Sequence, residues 1–433
     1  MRHPSLAGLA GLLDSRIRRV ARTELDHRQV ANLRFFWLDG FFASLSDNFV
    51  LGFMELFLLA YHANNATIGT LSSVASLTGM VALLPGARFV ARMGRRKDFV
   101  VWTSGIWGRL TLLVVALLPL VVRESSVAIV SLITLNAIRA FGNNVANPGA
   151  TALIADFVPP TSRARYFASR NAATIVAAAV AAPVAGWIVK NFDGGVGLPW
   201  LGYQLIYFIA FAIGMISTAC FSRIQEPEKA SSGVAWGGLG ELVRELRSDR
   251  LFVGLALSAF VWNLSLNVAG PFFNVYFIKE LGGTAAWVGL SAGIGSVFGF
   301  LGQGTFSRSA DKRGDIHVQA VTGILICFLP LGWSFASSPW HVVIIGGLAG
   351  YLWSGYNLAN FNILLQLTPD RRRAEAVALY QTIVAASAAL GPFLGGLMAD
   401  SIGFKALFAV SSAGRIVGIV MFIALVARWP LRR

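Results

Sequence analysis

The stretch DGFFASLSDNFVLGFME, residues 39 to 55, reads as an apolar helix and yet carries Asp39, Asp47 and Glu55. Three arginines, Arg109, Arg139 and Arg415, fall in the middle of other apolar runs. Burial disfavours a charged carboxylate and a neighbouring guanidinium restores it, so an acid in changing surroundings can bind and release a proton near neutral pH. That makes Asp47 and Glu55 candidates for proton binding. A guanidinium without a partner can hold a carboxylate or phosphate in a two-pronged fork. Asp47 and Glu55 together cannot neutralise all three arginines, so an anion-binding arginine is one expectation. A structural ion pair, Asp47 with Arg139 or Arg109, is the plain alternative.

The elements that must position these groups follow from composition. Of 433 residues, 55% are apolar and 13% charged, and the mean hydropathy is +0.64. A soluble chain carries about 25% charged residues. Here the apolar residues form runs of about 20, enough to cross about 30 Å of hydrocarbon. Twelve such runs lie near 34–61, 66–87, 99–121, 126–153, 166–190, 200–221, 251–278, 284–306, 316–336, 340–368, 374–399 and 404–427. They are expected to be helices, because lipid leaves the backbone of an open strand unpaired and the runs lack the alternation of barrel strands. The fold class is thus an all-α membrane protein. At about 1.5 Å per residue from residue 34, Asp39 sits about 8 Å in, at headgroup depth, Asp47 about 20 Å and Glu55 about 30 Å.

Charge gives the orientation. With Arg34 and Arg170 counted at their span ends, one side's loops and both termini collect 29 of the 36 Lys and Arg. The opposite loops hold Arg123, Lys190, Lys279 and Lys405. The positive-inside rule then places both termini in the cytoplasm, of a bacterial-type inner membrane, and the formal charge of +15 reflects topology rather than nucleic-acid binding. Residues 1–33 read as an amphipathic lead-in on the headgroups rather than a cleavable signal. Cys220 and Cys327 fall within spans, and His3, His27, His62, His317 and His341 show no metal-ligand spacing. No metal and no cofactor is expected. The GxxxxGK[ST] loop that cradles ATP phosphates is absent from the sequence, and no span offers a clustered nucleophile and base, so an enzyme is not expected.

The chain repeats itself. At an offset of 209, Pro160, Arg163, Pro183 and Gly186 fall on Pro369, Arg372, Pro392 and Gly395. At an offset of 220, Gly69, Gly79, Arg92 and Gly94 fall on Gly289, Gly299, Lys312 and Gly314. Such duplication implies two six-helix bundles, 34–221 and 251–427, joined by a linker, 222–250, with a short amphipathic helix, and followed by a tail, 428–433. ARFVARMGRRK (87–97) and SRSADKRGD (307–315) resemble the loop motif of the major facilitator superfamily, Gly-x-x-x-Asp-Arg/Lys-x-Gly-Arg-Arg. Its residues here are Arg92, Gly94, Arg95 and Arg96 in the first copy and Asp311, Lys312 and Gly314 in the second. Ala87 and Ser307 replace the motif's first Gly, and Ala91 replaces the Asp that Asp311 retains. The resemblance implies a gating role for these loops and a monomeric chain. LGPFLGG (390–396) is similar to the Gly-Pro-x-x-Gly-Gly pattern of drug/proton antiporters, although here it stands in span 11 and not span 5. Gly391, Pro392, Gly395 and Gly396 also suit close helix packing, the simpler expectation.

In that superfamily spans 1, 4, 7 and 10 line a central cavity, and here those spans carry polar stripes. Span 4 has Asn136, Arg139, Asn143 and Asn147, and span 7 has Asn263, Asn267 and Asn274. Span 10 has Trp353, Tyr356, Asn357 and Asn360; span 1 has Ser44, Asn48 and Glu55 with Asp47 on the flank. With Arg109 and Arg415 these are the expected cavity residues, and Trp262, Phe272, Phe273, Tyr276 and Phe361 its aromatic lining. An intramembrane charge costs about 2.5–3.5 kcal/mol or more, so such stripes call for a wet path or for partners. The resemblance implies a secondary transporter that alternates access to a midplane site. Proton-coupled export of a small amphiphile or organic anion is the expectation. A proton-coupled importer, a nutrient uniporter and a lipid flippase on the same fold are the alternatives.

Overall fold

The computed structural model describes residues 26–92, 96–158, 163–192, 200–226, 250–368 and 373–427. Among the described residues there is no strand. Span 1 joins His27–Val50 to Phe53–Ala60, span 2 is Asn65–Arg92, and span 3 runs through Arg96–Val100, a π-helical Val101–Trp107 and Gly108–Val121. Spans 4, 5 and 6 are Ser125–Phe157, Arg163–Phe192 and Leu201–Ser222. In the second half, span 7 joins Arg250–Ala269 to Phe272–Lys279, span 8 is Ala285–Arg313, span 9 is Asp315–Cys327 with Leu329–Phe335, and span 10 is Pro339–Leu367. One long helix, Arg373–Phe422, is broken by Gly403 at φ 79° and continues into Ile423–Ala427, giving spans 11 and 12. Among the described residues, ten helices are long and apolar enough to cross a membrane, one of them covering spans 11 and 12 together. With the 28-residue span 2 the described helices are consistent with twelve spans.

The first helix begins before the apolar run at 34, and its cap explains this. Asp26 accepts from the His27 N–H at 2.6 Å, while Gln29 Oε1 accepts from the Asp26 N–H at 3.2 Å. This is a capping box: two otherwise orphaned donors are satisfied by side chains, and a helix can start there in polar sequence. The amphipathic lead-in lies outside the described residues up to residue 25, as do the linker helix between 227 and 249 and the tail.

Spans 1 and 7 are both broken, and at matching places. Gly52 takes a left-handed φ of 79°, which an L side chain resists. At an offset of 219, one residue from the 220 that relates Gly69 to Gly289, Leu51 and Gly52 fall on Gly270 and Pro271, where span 7 breaks because proline has no N–H to donate.

The two halves meet unequally along their length. One apolar core gathers the ends of spans remote from His27 and Ala427, the distal end, and it draws on both halves: Phe53, Phe57, Tyr207, Phe272, Phe277 and Phe408 belong to it. At the other, terminal end each half keeps its own core, around Phe36, Tyr166 and Phe221 in the first and around Trp262, Tyr356 and Phe422 in the second. The distal seam is closed by small residues. A Cβ on Gly69 of span 2 would collide with the Pro392 carbonyl of span 11, and one on Gly289 of span 8 with the Ala182 carbonyl of span 5. These are equivalent contacts of the two repeats, since Gly69 corresponds to Gly289 and Pro392 to Pro183. Glycine is needed there because any side chain would part the backbones.

A polar latch supplements the span 2–span 11 seam. Asp400 Oδ1 accepts from Asn65 Nδ2 at 2.8 Å, and its Oδ2 accepts from the Ala66 N–H at 3.0 Å. Lys279 Nζ donates to Asn65 Oδ1 at 3.2 Å. Asp400 thus places a negative charge on the positive end of the span 2 helix dipole, a contact worth about 1 kcal/mol at an exposed position. Asp400→Ala is expected to lower the population of the distally closed state about fivefold. The distance distribution between spin labels on Thr67 and Ser401 checks it: an unchanged distribution would make the latch energetically silent.

Candidate functional site

The charged groups of the first half converge. Arg109 of span 3 donates from Nη1, and Arg139 of span 4 from Nη2, to the same atom, Asp47 Oδ1, each at 2.8 Å. The alternative of an Asp47 pair with Arg139 or Arg109 is therefore realised with both. Arg109 Nη1 also donates to Ser46 Oγ at 3.1 Å, and Ser46 donates to the Ala210 carbonyl of span 6 at 2.6 Å. The π-helical turn just before Arg109 changes the facing of the residues that follow, as π segments at functional sites do. Glycines make the room: a Cβ on Gly214 would meet Arg109 Cδ at 2.5 Å, and one on Gly105 would meet Thr218 Cγ2 at 2.6 Å.

A second acid–arginine pair stands beside the first. Asp39 accepts from Ser217 Oγ at 2.7 Å, and Arg170 Nη2 lies 3.6 Å from Asp39 Oδ2. Arg170 donates from Nε to the Phe36 carbonyl at 3.1 Å and lays its guanidinium 4.1 Å over the Phe36 ring. Gly40 opposite has no side chain, so the arm can lie flat on span 1. Asp39 is thus a cavity residue, not the headgroup residue expected from its depth. The capped start at His27 puts it about 18 Å into its helix. Arg170 was hidden for a similar reason: it stands seven residues inside span 5, where a basic residue reads as the end of a loop.

Asp39, Asp47, Arg109 and Arg170 wall a cavity of about 330 Å³, lined also by Phe36 and Asn143, whereas Arg139, expected in the wall, is outside the lining and is tied to it through Asp47. Ser104, Ser217 and Thr218 also line it, and every lining residue belongs to the first half. Asn143 Oδ1 accepts from Ser104 Oγ at 3.1 Å. Asn147 is exposed and Asn136 is half-buried on the same helix. The serines carried no sequence signal, since a lone serine in an apolar run is ordinary.

The second half contributes a different surface. Asn263 and Asn267 donate to the Ala259 and Asn263 carbonyls of their own helix, at 2.8 and 2.7 Å. Asn360 accepts from Tyr380 OH at 3.2 Å, Asn357 is exposed, and Asn274 lies against Gly52 where span 1 breaks. Glu55, three residues beyond that break, has a buried Oε2 with no hydrogen-bond partner among the described residues.

Several expected lining residues are core instead. Phe272 and Tyr276 are buried in the distal core, with Tyr276 edge-on to Phe408, and Phe273 stacks on Phe408 at 4.7 Å. Tyr356 stacks on the buried Trp262 at 4.8 Å with Trp353 edge-on, whereas Phe361 is exposed. Arg415 is 3% exposed and donates from Nη1 to the Ile326 carbonyl at 3.3 Å, so it packs between spans 9 and 12 rather than facing water. Its position inside a stripe of small residues let the guanidinium sink between helices, which spacing alone does not distinguish from a wet wall.

The loop motifs show unequal detail. Gly94 and Arg95 lie outside the described residues, as does the side chain of Arg92. Glu226, after span 6, accepts from the Arg96 and Lys97 N–H groups at 3.1 and 3.3 Å. In the second copy, Gly314 ends span 8 at φ 85°, and Asp311 and Lys312 are exposed. The carboxylate that ties this corner is Asp315, which accepts from Asn362 and Gln366 at 2.9 Å each. In LGPFLGG, Gly391 and Gly395 face span 7 at Asn267 and Val268, and Gly396 faces Asn65 and Ala66 of span 2. The motif therefore seats span 11 between two neighbours. The Phe393 N–H, released near Pro392, donates to Ser73 Oγ of the other half at 2.9 Å.

Comparison with known proteins agrees with this architecture. The chain is 25% identical over 394 residues to the multi-drug resistance efflux pump PmrA of Streptococcus pneumoniae, covering 88% of this chain and 92% of that protein. It is 25% identical over 292 residues to the multidrug resistance protein MdtG of Salmonella schwarzengrund, covering 66% and 68%. Among solved structures, a D-xylose-proton symporter superposes with a TM-score of 0.69 at 14% identity, over 92% of this chain and 97% of that one. A bacterial homologue of the iron transporter ferroportin, in an inward-facing state, gives 0.69 at 18% identity, over 93% and 99%. The sequence profile described as Major Facilitator Superfamily matches residues 36–358 and 264–432, so the chain belongs to that superfamily.

Proposed function

We propose that this transporter exports a small amphiphile or organic anion across a cytoplasmic membrane, driven by protons, by rocking its two halves. Its termini face the cytoplasm on the strength of the positive-inside bias. One observation carries the alternating-access part: a single core joins the halves distally, while separate cores hold them at the terminal end, where the charged cavity lies. Such an arrangement is closed on one side and able to open on the other. The relatives named as efflux pumps support export. Asp47 and Glu55 supply the proton sites, one beside the cavity and the other behind the break in span 1.

Purified protein in liposomes tests this. With an imposed pH gradient, ethidium or an anionic dye should be moved against its own gradient. Glu55→Gln is expected to cut gradient-driven flux at least tenfold while dye exchange without a gradient continues. Equal driven flux in wild type and Glu55→Gln would take Glu55 out of the coupling role.

A further inference from the structure

Two buried side chains of the second half line the same small cavity, and each holds an unused hydrogen-bonding atom of opposite kind. Trp262 of span 7 and Gln319 of span 9 are each 2% exposed. Trp262 Nε1 and Gln319 Oε1 are buried with no hydrogen-bond partner among the described residues. Both residues line a cavity of about 10 Å³, with Ser258, Tyr356 and Asn360 as its other polar members. Every lining residue is buried except Asn360, which is half-buried. Span 12 closes one side: a Cβ on Gly418 would stand 3.0 Å from the Trp262 backbone, so glycine lets the two helices meet. The charged cavity is elsewhere, since its lining belongs wholly to the first half.

An indole N–H only donates and an amide oxygen only accepts. Leaving either unmade in the interior costs its full desolvation. One oxygen can serve both if it accepts from Trp262 and donates to Gln319, and that requires an O–H group. A carbonyl or an ether has no hydrogen to give, and an ammonium has no lone pair to offer. Ser258 supplies a third partner, because its hydroxyl hydrogen goes to the Leu255 carbonyl at 2.9 Å and its oxygen can still accept. A buried water makes about three such bonds and needs about 10–15 Å³. The cavity therefore suits a single oxygen and nothing larger.

We propose that Trp262 Nε1 and Gln319 Oε1 hold one hydroxyl oxygen between them, and that this oxygen is a resident water. The enclosure favours water over the hydroxyl of a solute, which would have to enter past Asn360. Trp262 also stacks on Tyr356 of span 10 at 4.8 Å. With the oxygen in place, spans 7, 9 and 10 are tied together in the second half's own core, at the end where the halves separate. A role in keeping these spans one moving body rests on the proposed rocking; the site itself does not.

Nuclear magnetic resonance of the full chain, isotope-labelled and deuterated in nanodiscs, reads the site through the Trp262 indole N–H, assigned by its loss in Trp262→Phe. Without any solute, this proton should show a rotating-frame Overhauser signal from water, opposite in sign to hydrogen exchange. Gln319→Met, which keeps the length of the side chain and removes the acceptor, should lose that signal and melt below wild type. No water signal in folded wild type, or an unchanged one in Gln319→Met, would overturn the proposal. So would Gln319→Met melting above wild type, because deleting an orphaned acceptor stabilises a fold. Benzyl alcohol and benzyl methyl ether, matched amphiphiles with and without an O–H, separate the two sources of the oxygen. A water signal that survives both assigns it to resident water. Its loss with the alcohol alone, replaced by transfer from the benzylic protons, would overturn the resident water and give the site to a solute hydroxyl. Should Gln319→Met fail to fold, the wild-type signal and the two benzyl probes decide. None of these readouts uses transport, so loss of the export reading leaves the site standing.

Discussion

Gly69→Leu is expected to hold the halves apart at the distal end and to stop turnover. Even the first carbon of a side chain at Gly69 collides with the Pro392 carbonyl, and the neighbour is backbone that cannot rotate away. The seam continues through the Ser73–Phe393 hydrogen bond and Gly396 against Asn65, so parting it at one point strains the rest. Overpacking of this kind costs about 1–3 kcal/mol per site, and more where backbone must move. That corresponds to a shift of about 5- to 150-fold in the population of the distally closed state, each tenfold step taking about 1.4 kcal/mol. Transport should fall by a similar factor. Gly289→Leu should act alike, because its Cβ would meet the Ala182 carbonyl in the equivalent seam. Gly304→Leu, with nothing within 4 Å of an added Cβ, serves as the control. Spin-label distances across the distal end, with solute flux in parallel, give the readout. A closed distal seam in Gly69→Leu would show that the observed packing is not what shuts this side.

Asp47→Ala should be the most damaging single change among the charged groups. Removing Arg139 leaves Asp47 with Arg109; removing Asp47 leaves two guanidiniums facing each other with no acceptor between them. Orphaning one member of a buried pair costs about 3–5 kcal/mol. The half-exposed acid discounts this, so about 3 kcal/mol is expected, against about 1–2 kcal/mol for Arg139→Ala. Thermal unfolding in nanodiscs should show Asp47→Ala melting below Arg139→Ala, with Asp47→Ala/Arg139→Ala between them because one unpaired charge is gone. A double variant no more stable than Asp47→Ala would mean the two side chains do not interact energetically.

The loss of solute binding separates from the loss of stability. Asn143 and Ser104 line the same cavity without joining the ion pairs, so alanine there should weaken binding with little change in melting temperature.

Apolar run length dictated the spans, because hydrocarbon accepts little else, and their limits agree with the described helices to within about five residues, except where the Asp26 capping box extends the first and where span 8 runs seven residues past 306 to Arg313. Duplication was legible for the same reason that the fold is symmetric: Gly69 and Gly289, or Pro183 and Pro392, recur because both halves need backbone contact at the same place. Asp47, Arg109 and Arg139 could be nominated from sequence because a charge in lipid must be explained. Their sharing of one oxygen could not, since three spans must be packed before two arginines can choose the same partner. Arg170 and Asp39 became cavity residues, and Arg415 and Phe272 became core, only through helix rotation and tilt. Hydrophobicity along the chain reports how long a helix is and which solvent it sits in. Which of its faces meets water, lipid or another helix is set by the neighbours, and those are a property of the assembled bundle.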